Sequence, residues 1–404
     1  MAEQQGSSTV GTHLEAMIAK LRELNAVRSE RVADAFRAVP RHVFAPNNPL
    51  AEVYSPRDPV ITKRDANGVA ISSVSAPEIQ AFMLEQASIE PGMRVLEIGS
   101  GGFNAALASE LVGESGHVTS IDIDDEVTAR AAAMLKSAGF DHNVDVVCAD
   151  ATSWLPDDGS WDRIIVTVGA WDIPPLWTER LAANGRLVVP LRLRGITRSL
   201  ALIPDNGHLA ATSAEVCGFV QMQGRDAHEE RLFLLQGKDI GLRFDDDNTP
   251  ADMTALDGVL ATERAVEWTD VTTRAGESFD SLELYLAARL PHFCLLTVAP
   301  GAGEQLVGHD EHRFRLAHVA GDSFAYLVSR RRADGLFAFG ASAFGSNARV
   351  AAAQMVDQIE AWNALRPGKV DPAITVWPRP DSASELPEGH VIHKHHRNVV
   401  LSWT

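Results

Sequence analysis

Arg94-Val95-Leu96-Glu97-Ile98-Gly99-Ser100-Gly101-Gly102-Phe103-Asn104 is the stretch that decides how this chain folds. Its first five residues carry Val, Leu and Ile without a turn former, the pattern of a buried strand. Glycines and a serine then reverse the chain. From Asn104 to Leu111 the residues are rich in Ala and Leu, which favour a helix. A glycine turn between a strand and a helix lets the backbone pass close to a ligand and reach dihedrals that a Cβ forbids.

Outward from this turn the same alternation continues. His117–Ile123 predicts a strand, Glu126–Ala138 an alanine-rich helix, and Val144–Cys148 and Arg163–Val168 two further strands. Trp177–Ala183 predicts a helix and Gly185–Leu193 a strand. Alternating strands and helices predict a parallel sheet covered on both faces. Toward the N-terminus, residues 1–10 are polar and predict a frayed tail. Leu14, Met17, Leu21 and Leu24 recur at helical spacing, and Glu30–Val39 predicts a second helix that stops before Pro40. Residues 45–77 predict irregular structure with short strands.

Beyond Leu193 the helices cease, and Leu200–Pro204 and His208–Val220 predict antiparallel strands. The acidic run Asp245–Asp247, with Pro250 behind it, predicts a linker. Phe293–Val298 and Phe324–Leu327 predict strands and Asn347–Leu365 a helix. The expected organisation is an N-terminal helical and irregular subdomain over 1–80, a Rossmann-like domain over 81–244, and a C-terminal α+β module over 251–404.

Composition narrows the function. A net charge of −18 over 404 residues argues against nucleic acid as a partner, because phosphate binding needs a basic surface. Cys148, Cys217 and Cys294 stand far apart, so neither a disulfide framework nor a zinc ribbon is expected. No apolar run reaches the length of a membrane span, about 18 residues, and a reducing cytoplasm is the expected compartment.

The glycine turn alone does not identify its ligand. Asp122 follows Gly101 by 21 residues, at a strand end where a carboxylate can accept both hydroxyls of a ribose. A dinucleotide fingerprint would put a third glycine at position 104, which is Asn. Glu97 also sets an acid just ahead of the loop, where a pyrophosphate would be repelled. An acidic loop suits a cationic ligand without phosphate, and S-adenosyl-L-methionine is one. Asp150, after another strand, is placed to reach the adenine. A glycine turn without a ligand is the competing reading.

Three further stretches carry a resemblance. Val39-Pro40-Arg41-His42-Val43-Phe44, Ser73-Val74-Ser75-Ala76-Pro77 and Pro91–Gly99, continued by Ile164–Ala170 and Gly185–Pro190, resemble the protein-L-isoaspartate O-methyltransferases over roughly residues 15–225. The resemblance implies a Rossmann-like class I methyltransferase with S-adenosyl-L-methionine as donor, S-adenosyl-L-homocysteine as product, and an Asp-type carboxylate of a peptide as acceptor. It matches Ser75, and with it Ser73, to the family's active-site hydroxyls. Gly99, Ser100, Gly101, Gly102, Asp122 and Asp150 match the cofactor contacts, with Glu97, Asn104, Ile123, Ala151 and Thr167 expected beside them.

Two departures shape the expected substrate. The loop is one residue shorter than the family's GxGxG, and Ala76 stands where repair enzymes usually carry Gln. With the long C-terminal extension, these features look like the branch that esterifies one Asp of a lanthipeptide or graspetide precursor. In that branch the ester closes to aspartimide and opens in part to isoaspartate. General isoaspartyl repair is the alternative, and a peptide-binding partner without turnover is an alternative of another class.

Elsewhere two readings stand side by side. Arg192, Arg194 and Arg198 either steer an acidic peptide or form a solvated strand face. His393, His395 and His396 fit an exposed strand better than a metal site, and no metal is expected. His42 fits a capping or core role better than one near the acceptor. Phe324, Phe337, Phe339 and Phe344 are expected to build the core of the C-terminal module rather than a groove.

Overall fold

The computed structural model describes residues 2–99, 101–156, 159–299, 302, 314–365, 371–379 and 386–403. They form two compact units: residues 1–191 with 197–228, and residues 192–196 with 229–404.

The first unit opens on α1 (Ala2–Glu23), so the expected tail is helical; Ala, Glu and Gln at its start are good helix formers. Next comes α2 (Glu30–Ala38), where the Ser29 hydroxyl accepts from Val32 N and caps the first turn. It ends as expected, with Val39 extended ahead of Pro40. A single 3₁₀ turn (Arg41–Phe44) and α3 (Leu50–Val53) lead to the hairpin β1 (Val60–Arg64) and β2 (Ala70–Val74). Then α4 (Pro77–Ala87) begins on a proline, whose fixed φ suits a first helical turn. These N-terminal elements share one core with the sheet domain: Met17, Leu21, Phe36 and Phe44 cluster with Leu107, Val95 and Ile165. Residues 1–80 are therefore not a separate body.

The sheet follows as β3 (Arg94–Ile98), α5 (Phe103–Val112), β4 (His117–Asp122), α6 (Asp125–Ala138), β5 (Val144–Cys148), β6 (Trp161–Val166), α7 (Pro175–Glu179), β7 (Leu181–Leu193), β8 (Ile196–Asp205) and β9 (His208–Val216). In this unit the strand order is β5-β4-β3-β6-β7-β8-β9; β5 through β7 are parallel and β8–β9 antiparallel. The order reverses at β3, and in such a sheet ligands bind outside the carboxyl ends of the strands at that switch point. The helix expected over Trp177–Ala183 is instead the single turn α7, because Leu181 already pairs with Trp161. Sheet pairing overrides the helical preference of Leu181-Ala182-Ala183.

The second unit is built on seven antiparallel strands: β10 (Arg231–Gln236), β11 (Ile240–Phe244), β12 (Ala265–Thr273), β13 (Phe293–Val298), β14 (Phe314–Ala320), β15 (Ser323–Arg331) and β16 (Phe337–Phe344). Their order is β10-β11-β13-β14-β15-β16-β12. Within this unit α8 (Asp280–Arg289) packs on α9 (Ala348–Leu365), where Trp362 donates to Ser281 Oγ at 3.1 Å. The last strands are β17 (Ala373–Pro378), β18 (His390–His393) and β19 (Arg397–Ser402), in the order β18-β19-β17. Phe324, Phe339 and Phe344 are core residues, while Phe337 is half-buried.

The unit begins well before the acidic run, which is no linker. Asp245 is buried, pairs with Arg192 and accepts from Gly195 N; Asp246 accepts from Arg194 Nε at 2.8 Å. Arg192, Arg194 and Arg198 are all buried, so neither peptide steering nor a solvated face describes them. Sequence alternation cannot show that an arginine's partner lies some 50 residues away. His395 and His396 lie in the turn between β18 and β19 rather than on a strand, and His393 closes β18, where its Nδ1 bonds Asn398 Oδ1.

The acidic run makes a paired test. Asp245→Ala leaves a buried guanidinium with less compensation and should cost about 3 kcal/mol, read as a lowered denaturant midpoint. Asp247→Ala removes a fully solvated partner of Arg231 and should cost less than about 0.5 kcal/mol.

Candidate active site

The glycine turn leaves β3 at the switch point. Gly99 has φ +102°, and a Cβ there would come within 2.6 Å of Thr167 Oγ1. Thr167, just after β6, donates its hydroxyl to Gly99 O at 2.6 Å and so fixes the loop from the neighbouring strand. A Cβ on Gly101 would meet Ser73 O at 3.3 Å, so β2 passes directly against the turn. Gly102 lies behind, at φ +83°, packed on the Phe44 ring. Ser100 lies outside the described residues.

Three carboxylates stand around the turn, and each is held differently. Glu97 is wholly buried; Ser120 Oγ donates to its Oε2, and the Asn104 amide stands beside the same carboxyl. Burial pushes its carboxyl up to about 7, and Asp122 nearby adds to the rise. Asp122 ends β4 and accepts from Asp124 N at 2.9 Å. Asp150 accepts from Thr152 N and Thr152 Oγ1 on one oxygen and from Arg225 N on the other. Partial burial works to raise its carboxyl, but these hydrogen bonds outweigh it and hold the group below the usual carboxylate range. Gly224 has no Cβ to spare, since one would lie 2.6 Å from Asp150 Oδ2.

Two adjoining clefts open here, of about 450 and 350 Å³. Gly99, Asp122 and Val168 belong to both. The larger brings together Ser73, Ser75, Glu97, Gly101, Asn104 and Thr167; the smaller brings together Ile123, Asp150 and Ala151. Gly102 supports the turn from behind rather than lining either cleft. Among the described residues that line them, neither wall carries a Lys, Arg or His; Arg130 stands behind the larger, donating to Ser72 Oγ at 3.3 Å within the field of Asp122. A pyrophosphate would find no cation on the walls themselves, whereas a ligand with a sulfonium and an ammonium meets two acids. The buried Glu97 carboxyl and the Asp122 carboxylate, on walls whose described residues carry no cation, fit S-adenosyl-L-methionine.

Some wall residues had no signal in the sequence. Gln80 lies one turn into α4, and Val220 and Met222 follow β9; their positions on the clefts depend on tertiary packing alone. Arg41 is visible in the Val39–Phe44 motif, but its partners are not. His42 is on neither cleft; its Nδ1 lies 2.9 Å from the Tyr54 hydroxyl, the structural role expected of it.

Residues 12–227, more than half the chain, match the protein-L-isoaspartate(D-aspartate) O-methyltransferase family. The chain belongs to that family. A protein-L-isoaspartate O-methyltransferase of Methanopyrus kandleri is 33% identical over 219 residues, 54% of this chain and 93% of the relative. A second, of Archaeoglobus fulgidus, is 38% identical over 179 residues, 44% of this chain and 77% of the relative. A solved structure described as a protein-L-isoaspartate O-methyltransferase has a TM-score of 0.50 at 20% identity, covering 90% of this chain and 96% of its own. That likeness of fold reaches well beyond residue 228, so the C-terminal extension is not foreign to structures of that name. The protein is an S-adenosyl-L-methionine-dependent protein carboxyl methyltransferase, which sets aside a partner without turnover. None of its described helices is long and apolar enough to cross a membrane.

Glu97 makes cofactor affinity pH-dependent. Its carboxyl is protonated below about pH 7 in the free protein and must ionise to face a cation. Affinity for S-adenosyl-L-methionine should therefore rise about fivefold from pH 6 to pH 7 for one proton released, and level off above. Titration calorimetry should show that proton release, and Glu97→Gln should flatten the profile. The sign for stability is opposite: with the folded carboxyl raised to about 7, Glu97 is a burden that grows between the free value of 4.5 and about pH 7 and is constant above. Glu97→Gln should then raise the Tm of the ligand-free protein at pH 8 but not at pH 4.

Proposed function

We propose that this enzyme esterifies the free α-carboxylate of isoaspartyl residues in polypeptides, the reaction its relatives are named for. The observation that carries this reading is that Ser73 and Ser75 open into the cleft that also holds Gly99, Glu97 and Asp122. Two hydroxyl-bearing residues of one strand end thus line the cleft proposed for the methyl donor.

The chemistry asks little of a base. A free carboxylate of this kind has a reference pKa near 4 or below and is ionised at neutral pH. Its oxygen forms the new bond to the methyl carbon as the carbon–sulfur bond breaks and the electron pair returns to sulfur. Bound S-adenosyl-L-methionine supplies the electrophilic methyl. Ser75 Oγ donates to the acceptor carboxylate and Ser73 supports it, so the protein contributes placement and exclusion of water, worth up to about 7–11 kcal/mol. The ester is then open to attack by the backbone nitrogen of the following residue, which expels methanol and closes a succinimide.

A dedicated crosslinked precursor peptide is the second reading. It is supported by Ala76, by the shortened loop, and by a cavity of about 1190 Å³ within the C-terminal unit, lined by Phe279, Leu316, Leu327 and Phe337 with Arg315. The fold likeness over nine-tenths of the chain favours repair over this reading, since the extension no longer sets the protein apart.

Mass spectrometry of two substrates separates them. A linear isoaspartyl peptide gaining one methyl group supports repair; inertness of that peptide beside methylation of an ordinary Asp in a crosslinked precursor overturns it. Removing the donor at position 75 should lower kcat/KM about 10- to 100-fold, the worth of a hydrogen bond to a charged group. Ser75→Ala should leave the Kd for S-adenosyl-L-methionine unchanged by calorimetry.

A further inference from the structure

A cleft walled by Glu97 and Asp122, with no basic side chain among its described lining residues, has to admit a second anion as its methyl acceptor. The cofactor's sulfonium and ammonium balance these acids, yet the acceptor oxygen still needs a donor that holds it in line and a cation that fixes that donor. Both lie at the Ser75 end, and neither belongs to the cofactor motifs.

The charge is Arg41. It is wholly buried in the 3₁₀ turn after α2, yet its hydrogen-bond partners are all neutral. Nε donates to Val53 O at 2.7 Å, Nη1 to Gln80 Oε1 at 2.8 Å and Nη2 to Ser75 O at 2.8 Å. The guanidinium also lies 4.9 Å from the centre of the Phe103 ring. Among the described residues it forms no ion pair. Burial pulls it down to about 9, so it stays charged at neutral pH.

The donor is Gln80. A guanidinium offers only donors, so the Gln80 atom facing Arg41 must be the carbonyl oxygen, and the amide nitrogen is turned the other way. Gln80 is 4% exposed and lines the same cleft as Ser73 and Ser75. Its Nε2 has no partner among the described residues. A nearly buried amide with one end fixed and the other end unfilled, on the wall of a cleft, is arranged to meet a ligand acceptor.

We infer that Gln80 Nε2 donates to the acceptor carboxylate beside Ser75 Oγ, with Arg41 as the positioning residue that fixes both. Arg41 holds the Gln80 amide in its donating orientation and holds the Ser75 backbone in place. The inference rests on a carboxylate being the methyl acceptor.

Two substitutions at position 80 in the full-length enzyme test it, with a linear isoaspartyl peptide as substrate. Gln80→Met removes the donor and should lower kcat/KM for the peptide about 10- to 100-fold. The Kd for S-adenosyl-L-methionine should stay at its wild-type value, while the Tm should fall because Arg41 Nη1 loses its acceptor. Gln80→Glu keeps the volume and gives Arg41 a carboxylate partner, yet it replaces the donor with a negative acceptor, so its loss should exceed that of Gln80→Met. A merely structural Gln80 predicts the reverse order, with Gln80→Glu tolerated because Arg41 gains an ion pair; that order, or equal losses in cofactor and peptide binding, overturns the inference. The methyl-ester product supplies a second readout. Wild type should bind the carboxylate peptide more tightly than its ester, and Gln80→Met should shrink that ratio about tenfold; an unchanged ratio also overturns it. If wild type methylates no carboxyl peptide, the acceptor reading itself fails, an outcome distinct from active wild type with indifferent position-80 variants.

Discussion

Everything at the switch point depends on the absence of a side chain at residue 99. Gly99 N donates to Ile121 O on β4, Thr167 N donates to Ile98 O, and Thr167 Oγ1 donates to Gly99 O from the β6 side. The turn is thus stapled to both neighbouring strands, and the staple closes only because no Cβ occupies the space beside Thr167 Oγ1. From that point the chain has to cross the carboxyl edge of the sheet. Glu97 falls beneath the turn, Asp122 beside it, and β2 runs against Gly101. The cofactor acids and acceptor hydroxyls share a cleft because one glycine lets two strands and a loop come together.

That closeness sets an electrostatic problem with two ends. At the cofactor end the acids are useful against a cation, and burial of Glu97 keeps it neutral until a cation is there to balance it. At the acceptor end the need is for donors held rigidly in place. The fold places Arg41 behind that end rather than in it, satisfied by two backbone carbonyls, an amide oxygen and a ring face. An arginine in the cleft itself would pair with Glu97 or Asp122 and disable both. One layer back, it works through Gln80 and Ser75.

The parallel part of the sheet was legible because its signals are local. Arg94–Ile98 and Val144–Cys148 match their strands residue for residue, and Asp122 ends β4 where the spacing put it. Misreadings arose where distant partners decide. Leu181-Ala182-Ala183 reads as helix, yet Leu181 is claimed by Trp161. Arg192 and Arg194 alternate as a solvated strand would, but each is buried against an acid roughly 50 residues on. Asp245–Asp247 reads as a linker for the same reason. Gln80 is silent in sequence: an amide on a helix gains meaning only when a guanidinium takes its oxygen.

Selectivity then has to arise away from the reacting atoms. An ionised carboxylate is a ready nucleophile on any aspartate, glutamate or isoaspartate, so the transfer step distinguishes them weakly. What differs is where the carboxylate sits relative to the peptide backbone. A rigid pair of donors, Ser75 Oγ and Gln80 Nε2, accepts a carboxylate only along one approach, and a backbone displaced by one methylene brings a different oxygen into line. Donors fixed by Arg41 cannot follow a misplaced acceptor, because moving either one breaks a hydrogen bond of a buried cation. Such rigidity gives discrimination in the transition state rather than in ground-state binding. On this view the buried arginine acts as the ruler of the active site, and the peptide's own geometry selects which carboxylate reaches the methyl group.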